Sequence, residues 1–460
     1  MRIQSSQPQL LLLLAGPVLG HSDLGRAEIC GLGASLIPLG GPVCPTDPRS
    51  LAVRQGNATS EQAGAEKSQC QDGDCDGSRQ HTWTHSSQCI QGVGADDPIC
   101  VFTDTTFAAG RGISLVTAPR RANYVATAPA FAEPETVRNI NEDLDGIIPA
   151  KYEMRELPGK GMGLIATAHI RRGEPIMANT ASLMIDYRAF TELTKPQYKA
   201  LQAHAVDNLP AAHRALVLNL STHSSSPLPH IERVDRIAAT NCFDIDPDDS
   251  DTDQHNSFFV LFPSIARINH ECRPNAEYVY DAATLSQAVN AARDILPGEE
   301  LSLSYINPLM PRAQRLAKLK RNWGFDCGCA SCTLSRARGE ESDARIAQIG
   351  KLNDELRDWG KDSRACPEMA ELLVSLYDME NLWTAMHEAY TLAALEFNAV
   401  GEPWTAVKYA RMAVEYGVPM VGEGDDDMGE MAKLAEDPWS HWSWERRVWG
   451  ESKEEKSSSA

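Results

Sequence analysis

The chain is short of positive charge and short of long apolar runs. Its 460 residues hold 43 lysines and arginines against 63 aspartates and glutamates, a formal net charge of -20. Such a surface repels a phosphate backbone, so direct nucleic-acid binding is not expected. The apolar run from Leu10 to Leu19 is too short to cross a bilayer, and no membrane span is expected. No repeat is visible in the first 147 residues. What is present, a 42% hydrophobic fraction with a mean hydropathy of -0.33, suits a globular chain of two or three domains with some solvated segments.

Residues 1–20 read in two ways. Met1-Arg2 followed by the apolar run, with Val18-Leu19-Gly20 as a cleavage site, fits a signal peptide and the secretory pathway. The other reading is a disordered apolar leader or a misassigned start. Six of the 12 cysteines (Cys30, Cys44, Cys70, Cys75, Cys89 and Cys100) lie before residue 110 among Gly, Ser, Gln and Asp. An even count in such a context admits disulfides. Residues 21–147 are expected to be a low-structure lead-in, closing on an Ala/Pro-rich linker at Ala126 to Glu135.

From about 148 the texture changes. Short apolar runs bounded by Gly and Pro, such as Met162–Ala166 and Pro175–Ala178, predict strands. Leu201, Ala205, Leu209, Leu216 and Leu220 fall at helical spacing and predict a helical insertion over about 190–255. Strand character returns at Phe258–Ile268, Asn275–Tyr280 and Leu301–Tyr305. A short basic helix, Gln314–Trp323, leads to a cysteine cluster. Residues 340–420 are helical in pattern, with two amphipathic helices joined at Gly401-Glu402-Pro403 in the manner of a tetratricopeptide pair. Residues 421–460 read as an acidic, Trp-containing tail with a disordered end.

Three constellations carry chemistry. The first is Gly159-Lys160-Gly161-Met162-Gly163-Leu164, followed by Arg171-Arg172-Gly173-Glu174-Pro175. No strand-turn-helix context surrounds it, which disfavours dinucleotide binding. The second is Arg267-Ile268-Asn269-His270-Glu271-Cys272-Arg273-Pro274-Asn275, followed by Gly298-Glu299-Glu300-Leu301 and Tyr305. The third is Cys327-x-Cys329-x2-Cys332. Three thiols in six residues offer three zinc ligands, and tetrahedral zinc takes a fourth; free thiols or a local disulfide are the other readings.

Together these residues resemble the signature of the SET-domain protein-lysine methyltransferases. The resemblance covers about 150–335 and implies an α+β fold. Its parts are a β-rich SET domain (148–310) with a knot-like crossing and a helical insertion, a post-SET zinc segment (311–335) and a helical region. The split layout is similar to the MYND-associated subgroup, although Asp186 to Phe258 does not supply the cysteines of a MYND finger. By the same resemblance, Lys160, Gly161, Met162, Gly163, Asn269, His270, Tyr305 and Phe325 would bind S-adenosylmethionine. Tyr305 would be catalytic, and Cys272, Cys327, Cys329 and Cys332 would hold a structural zinc ion. Tyr278 and Tyr280 either line a lysine channel or form a plain strand face. The implied partner is a protein with an accessible lysine, a histone being one candidate, and the implied setting is nuclear or cytoplasmic. That setting conflicts with a secretory leader, because an oxidising compartment endangers four thiolates. A non-catalytic SET scaffold binding through its helical region is the alternative, as is a secreted cysteine-rich protein. Gly161, Gly163, Asn269, His270 and Tyr305 are all in place, which favours the enzyme.

Overall fold

The computed structural model describes residues 81–92, 95–141, 149–224, 226–245 and 257–448. The apolar leader, Cys30, Cys44, Cys70, Cys75 and the chain's last residues lie outside the described residues. The central element is a six-stranded sheet of β1 (Gln88–Ile90), β2 (Ile99–Asp104), β3 (Ile113–Thr117), β7 (Leu183–Asp186), β9 (Phe258–Leu261) and β8 (Phe243–Ile245), in the order β1-β2-β3-β7-β9-β8. Neighbours are antiparallel except β3 and β7, which run parallel with Leu115 opposite Met184.

This sheet is a wall between two cores. Side chains alternate across a strand, so Ile99, Val101, Val116, Leu183, Ile185 and Leu261 face the helices α1 (Arg188–Glu192), α2 (Lys195–Asp207), α3 (Ala211–Leu218) and α4 (His230–Asn241). Cys100, Phe102, Leu115, Met184, Phe258 and Val260 face the second core, which includes Ile170, Leu301 and Leu303. The insertion expected over 190–255 is thus a helical layer on one face. Thr194 starts α2 with a capping box, its backbone N–H donating to Gln197 Oε1 at 2.9 Å.

Residues 88–141 depart from the expected low-structure lead-in. Every residue of β2 and β3 is buried, and they supply the middle of the wall. The 126–135 stretch is not a linker either: Ala130 is buried in the core and Phe131 packs against Trp83 and Phe107. The physical reason is that a strand buried on both faces loses its polar alternation, so Ile99–Phe102 carried no strand period. A disulfide joins Cys89 to Cys100, directly opposed across β1 and β2.

Three small sheets sit beyond the wall. The hairpin of β4 (Tyr152–Leu157) and β5 (Gly161–Ala166) turns at Gly159, whose φ is +73°. The strands β11 (Ala276–Asp281), β12 (Ser286–Ala291) and β6 (Pro175–Thr180) form an antiparallel sheet. Between them, β10 (Asn269–His270) and β13 (Ser302–Leu303) pair in parallel.

After α5 (Arg312–Trp323), which ends on Gly324 at φ +78°, the chain is helical. It runs through α6 (Arg336–Arg357), α7 (Pro367–Met379), α8 (Met386–Ala399), α9 (Pro403–Val421) and α10 (Asp426–Glu436). Alanines 389, 393, 406, 410 and 413 are fully buried, and Phe397 stacks on Tyr409 at 5.5 Å. Residues 421–448 are part of this unit rather than a tail. Asn398 Nδ2 donates to Pro438 O at 3.0 Å and to Ser443 Oγ at 2.9 Å, and Trp442 meets Trp359 at 5.0 Å. No helix among the described residues is long and apolar enough to cross a membrane.

Candidate active site and metal centre

The site is assembled where β10 and β13 lie side by side. Their pairing sets Asn269 against Ser302 and His270 against Leu303. Asn275 then ties the two segments. Its Nδ2 donates to Glu300 O at 2.8 Å, while its Oδ1 accepts from Ser302 N at 2.9 Å and from Ser302 Oγ at 3.1 Å. Asn275 is 3% exposed, so water cannot replace these partners.

Asn269 reaches from β10 to the β4–β5 hairpin. Its Nδ2 donates to Glu300 Oε1 at 2.9 Å and to Met162 O at 3.3 Å. Gly163 makes this possible: a Cβ there would stand 2.7 Å from Asn269 Nδ2 and 2.5 Å from Leu157 Cδ1. The close approach that excludes a side chain at Gly163 is thus with Asn269 and Leu157. Gly161 is required instead by its φ of +75°. Lys160 Nζ pairs with Glu300 Oε2 at 2.6 Å, so Lys160, Gly161, Met162, Gly163 and Asn269 come together around Glu300. Glu300 stands in the Gly298–Leu301 motif, and nothing in that local pattern marks this convergence.

His270 is buried and bridges two functions. Tyr305 N donates to its Nδ1 at 3.0 Å, and its Nε2 lies 3.3 Å from Cys272 Sγ. Burial pulls its pKa down to about 4, so the ring is neutral, with Nδ1 as acceptor and its proton on Nε2, facing the sulfur. The hydroxyl of Tyr305 donates to Ile268 O at 2.7 Å. Burial, with Glu300 nearby, holds that phenol above its ordinary pKa, so it stays protonated at neutral pH. The rings of His270 and Trp323 lie 5.3 and 5.4 Å from that of Tyr305, and Phe325 is 6.1 Å from His270. Trp323 Nε1 donates to Thr240 O at 3.3 Å, which joins this aromatic group to the insertion.

The four sulfurs of Cys272, Cys327, Cys329 and Cys332 converge within 4.8 Å of one another, and Cys272 and Cys332 are 3.6 Å apart. All four are free thiols. Tetrahedral zinc with bonds of about 2.3 Å sets sulfurs about 3.8 Å apart, so the donor set fits that ion. The Nε2–H of His270 directed at Cys272 is the outer contact a bound thiolate accepts.

Tyr278 and Tyr280 face the wall from β11. Tyr278 meets Phe243 edge-on at 5.1 Å and Tyr280 meets Phe262 at 6.3 Å. The Tyr280 hydroxyl is buried without a hydrogen-bond partner among the described residues.

A SET domain matches residues 161–306, from the first residue of β5 to the residue after Tyr305. The chain therefore carries a SET domain, and the site just described lies, Lys160 apart, within it and the cysteine segment that follows. Among its relatives, the Gallus gallus protein N-lysine methyltransferase SMYD2 is 30% identical over 187 residues, 38% of this chain and 40% of that one. N-lysine methyltransferase SMYD2-B of Danio rerio is 40% identical over 106 residues, 23% of each chain. Histone-lysine N-methyltransferase SET5 of Scheffersomyces stipitis is 42% identical over 101 residues, 21% of each. The chain thus spans less than half the length of the relatives it matches.

Proposed function

We propose that this chain is an S-adenosylmethionine-dependent protein-lysine N-methyltransferase. The observation that carries the reading is the Tyr305 hydroxyl donating its single proton to Ile268 O. The phenol oxygen is left with lone pairs only, suited to accept a hydrogen bond from an amine. A free lysine with a pKa near 10.4 is charged at neutral pH, so transfer needs the amine neutral and aimed. A phenol held in the protonated form is no base. Its work is orientation, while loss of the lysine proton falls to desolvation and to neighbouring positive charge.

The residues around Glu300 fit the cofactor. Lys160 offers a cation to a carboxylate, Glu300 an anion to an ammonium, and together they match the two ends of a methionine zwitterion. Phe325 offers a ring face to a base. When bound, the cofactor supplies a sulfonium-activated methyl group. Cys272, Cys327, Cys329 and Cys332 would hold zinc, fixing Trp323 and Phe325 beside Tyr305. The relatives are named as acting on lysine, two of them as N-lysine and one as histone-lysine methyltransferases. A lysine in a protein, histone tails among the candidates, is accordingly the proposed acceptor.

The test is label transfer from S-adenosylmethionine to core histones and to total lysate, with Tyr305→Phe alongside. Label on a defined lysine, falling roughly 100-fold in the variant with cofactor affinity held, is the expected result. Unchanged transfer would remove Tyr305 from the mechanism.

A further inference from the structure

One guanidinium touches three parts of the molecule at once. Arg273 lies between Cys272 and Pro274 in the crossing segment, and its side chain is 6% exposed. Its Nη1 donates to Cys272 O at 2.9 Å and to Pro308 O at 3.0 Å. The first is the carbonyl of a candidate zinc ligand and the second belongs to the loop that follows Tyr305. Its Nη2 donates to Glu380 Oε2 at 2.9 Å, and its Nε donates to Glu380 O.

Glu380 comes from the helical region, at the C-cap of α7, 107 residues further along the chain. It is 5% exposed and fully engaged: Ser342 Oγ and Arg345 Nε, both of α6, each donate to it at 2.7 Å. Two arginines and a hydroxyl thus converge on one buried carboxylate. Packing alone did not require this arrangement, since apolar residues of similar volume hold such an interface as well or better. Directional bonds add placement: they fix where Cys272 O and Pro308 O stand relative to α6 and α7.

We propose that Arg273 and Glu380 are a positioning pair through which the helical region holds the Cys272 thiolate and the Tyr305–Pro308 loop in place. The helical region is then a working part of the metal centre. Removing the charge of Glu380 leaves Arg273 buried without its counter-ion. The guanidinium turns towards water and releases both carbonyls.

This inference rests on the reading of the four cysteines as a zinc site, so the readout is zinc itself, with no methyl acceptor required. Zinc content is measured first on the full-length chain, then the rate of zinc release to a chromogenic chelator and the melting temperature, for wild type, Glu380→Gln and the double variant Arg273→Met/Glu380→Met. Glu380→Gln should release zinc about tenfold faster. The double variant should regain much of its melting temperature, because the buried Arg273 charge is gone and Arg345, 27% exposed, is left within reach of water, yet still release zinc fast because both carbonyls lack their donor. Wild-type release by the double variant would overturn the proposal and reduce the pair to adhesion between domains. Wild-type protein purified without zinc would instead overturn the metal reading beneath it.

Discussion

The crossing around Asn275 and the helix pair α8–α9 are both buried, but they are held by opposite means. In the crossing, the buried carboxamide of Asn275 donates to one backbone carbonyl and accepts from two groups of Ser302, and the neutral ring of His270 is bonded on one nitrogen and faces a sulfur on the other. In α8–α9 the seam is built of buried alanines in one apolar core and of ring against ring, Phe397 on Tyr409. Polar locks of the first kind admit few substitutes, because each lost bond strands a buried partner. Apolar packing of the second kind accepts many residues provided that volume is kept.

That contrast can be broken by substitution. Asn275→Ala should have the largest effect, about 3 kcal/mol or more, since it strands the Glu300 carbonyl, the Ser302 N–H and the Ser302 hydroxyl. The measurement is the denaturant midpoint at constant slope, and a loss below about 1 kcal/mol would show that the crossing relaxes as freely as an apolar core. Ala410→Leu, in the fully buried seam of α8–α9, should cost about 1–3 kcal/mol by overpacking and leave zinc and cofactor binding unchanged. A change in either binding constant would mean that the helical seam, too, sets site geometry.

A pH-dependent effect is expected at the junction. Glu277 lies on β11 with Thr384 of the helical region as a partner, and burial pushes its pKa up to about 7 from an ordinary 4.5. The folded carboxyl then keeps a proton that the unfolded chain has released, so stability falls as pH rises from about 4.5 to about 7 and is level above that. Glu277→Gln carries no such proton. Wild type should lose more melting temperature than the variant between pH 5 and 7.5, and parallel profiles would show that the junction is wet.

The same contrast explains what could be read in the sequence. Asn269, His270, Cys272, Tyr305 and the cysteine triplet stand out in the sequence because their types and spacing resemble a known family's motifs, and the fold brings them together. The Ala/aromatic period gave α8 and α9 as elements, but not which alanine meets which ring. Long-range partners were illegible for a simpler reason: Glu300 meets Lys160 across 140 residues and Glu380 meets Arg273 across 107. No local pattern encodes either. Ile268 contributes a backbone carbonyl to Tyr305, which any residue could supply. The buried strands β2 and β3 were hidden by their lack of alternation, and the close contact of Gly163 with Leu157 and Asn269 exists only in the fold.

The parallel pairing of β3 with β7 has a practical consequence for anyone dividing this chain. The SET-domain match begins at Gly161, yet three of the six strands in the wall precede it. A fragment cut there would leave Leu183, Met184 and Ile185 with an unpaired backbone edge, and the cores on both faces of the sheet would lose the side chains of β2 and β3. Such an edge is a template for another copy to pair with. The boundary that similarity suggests is therefore one at which the protein would come out of solution as aggregates, and the shortest well-behaved piece starts no later than β1.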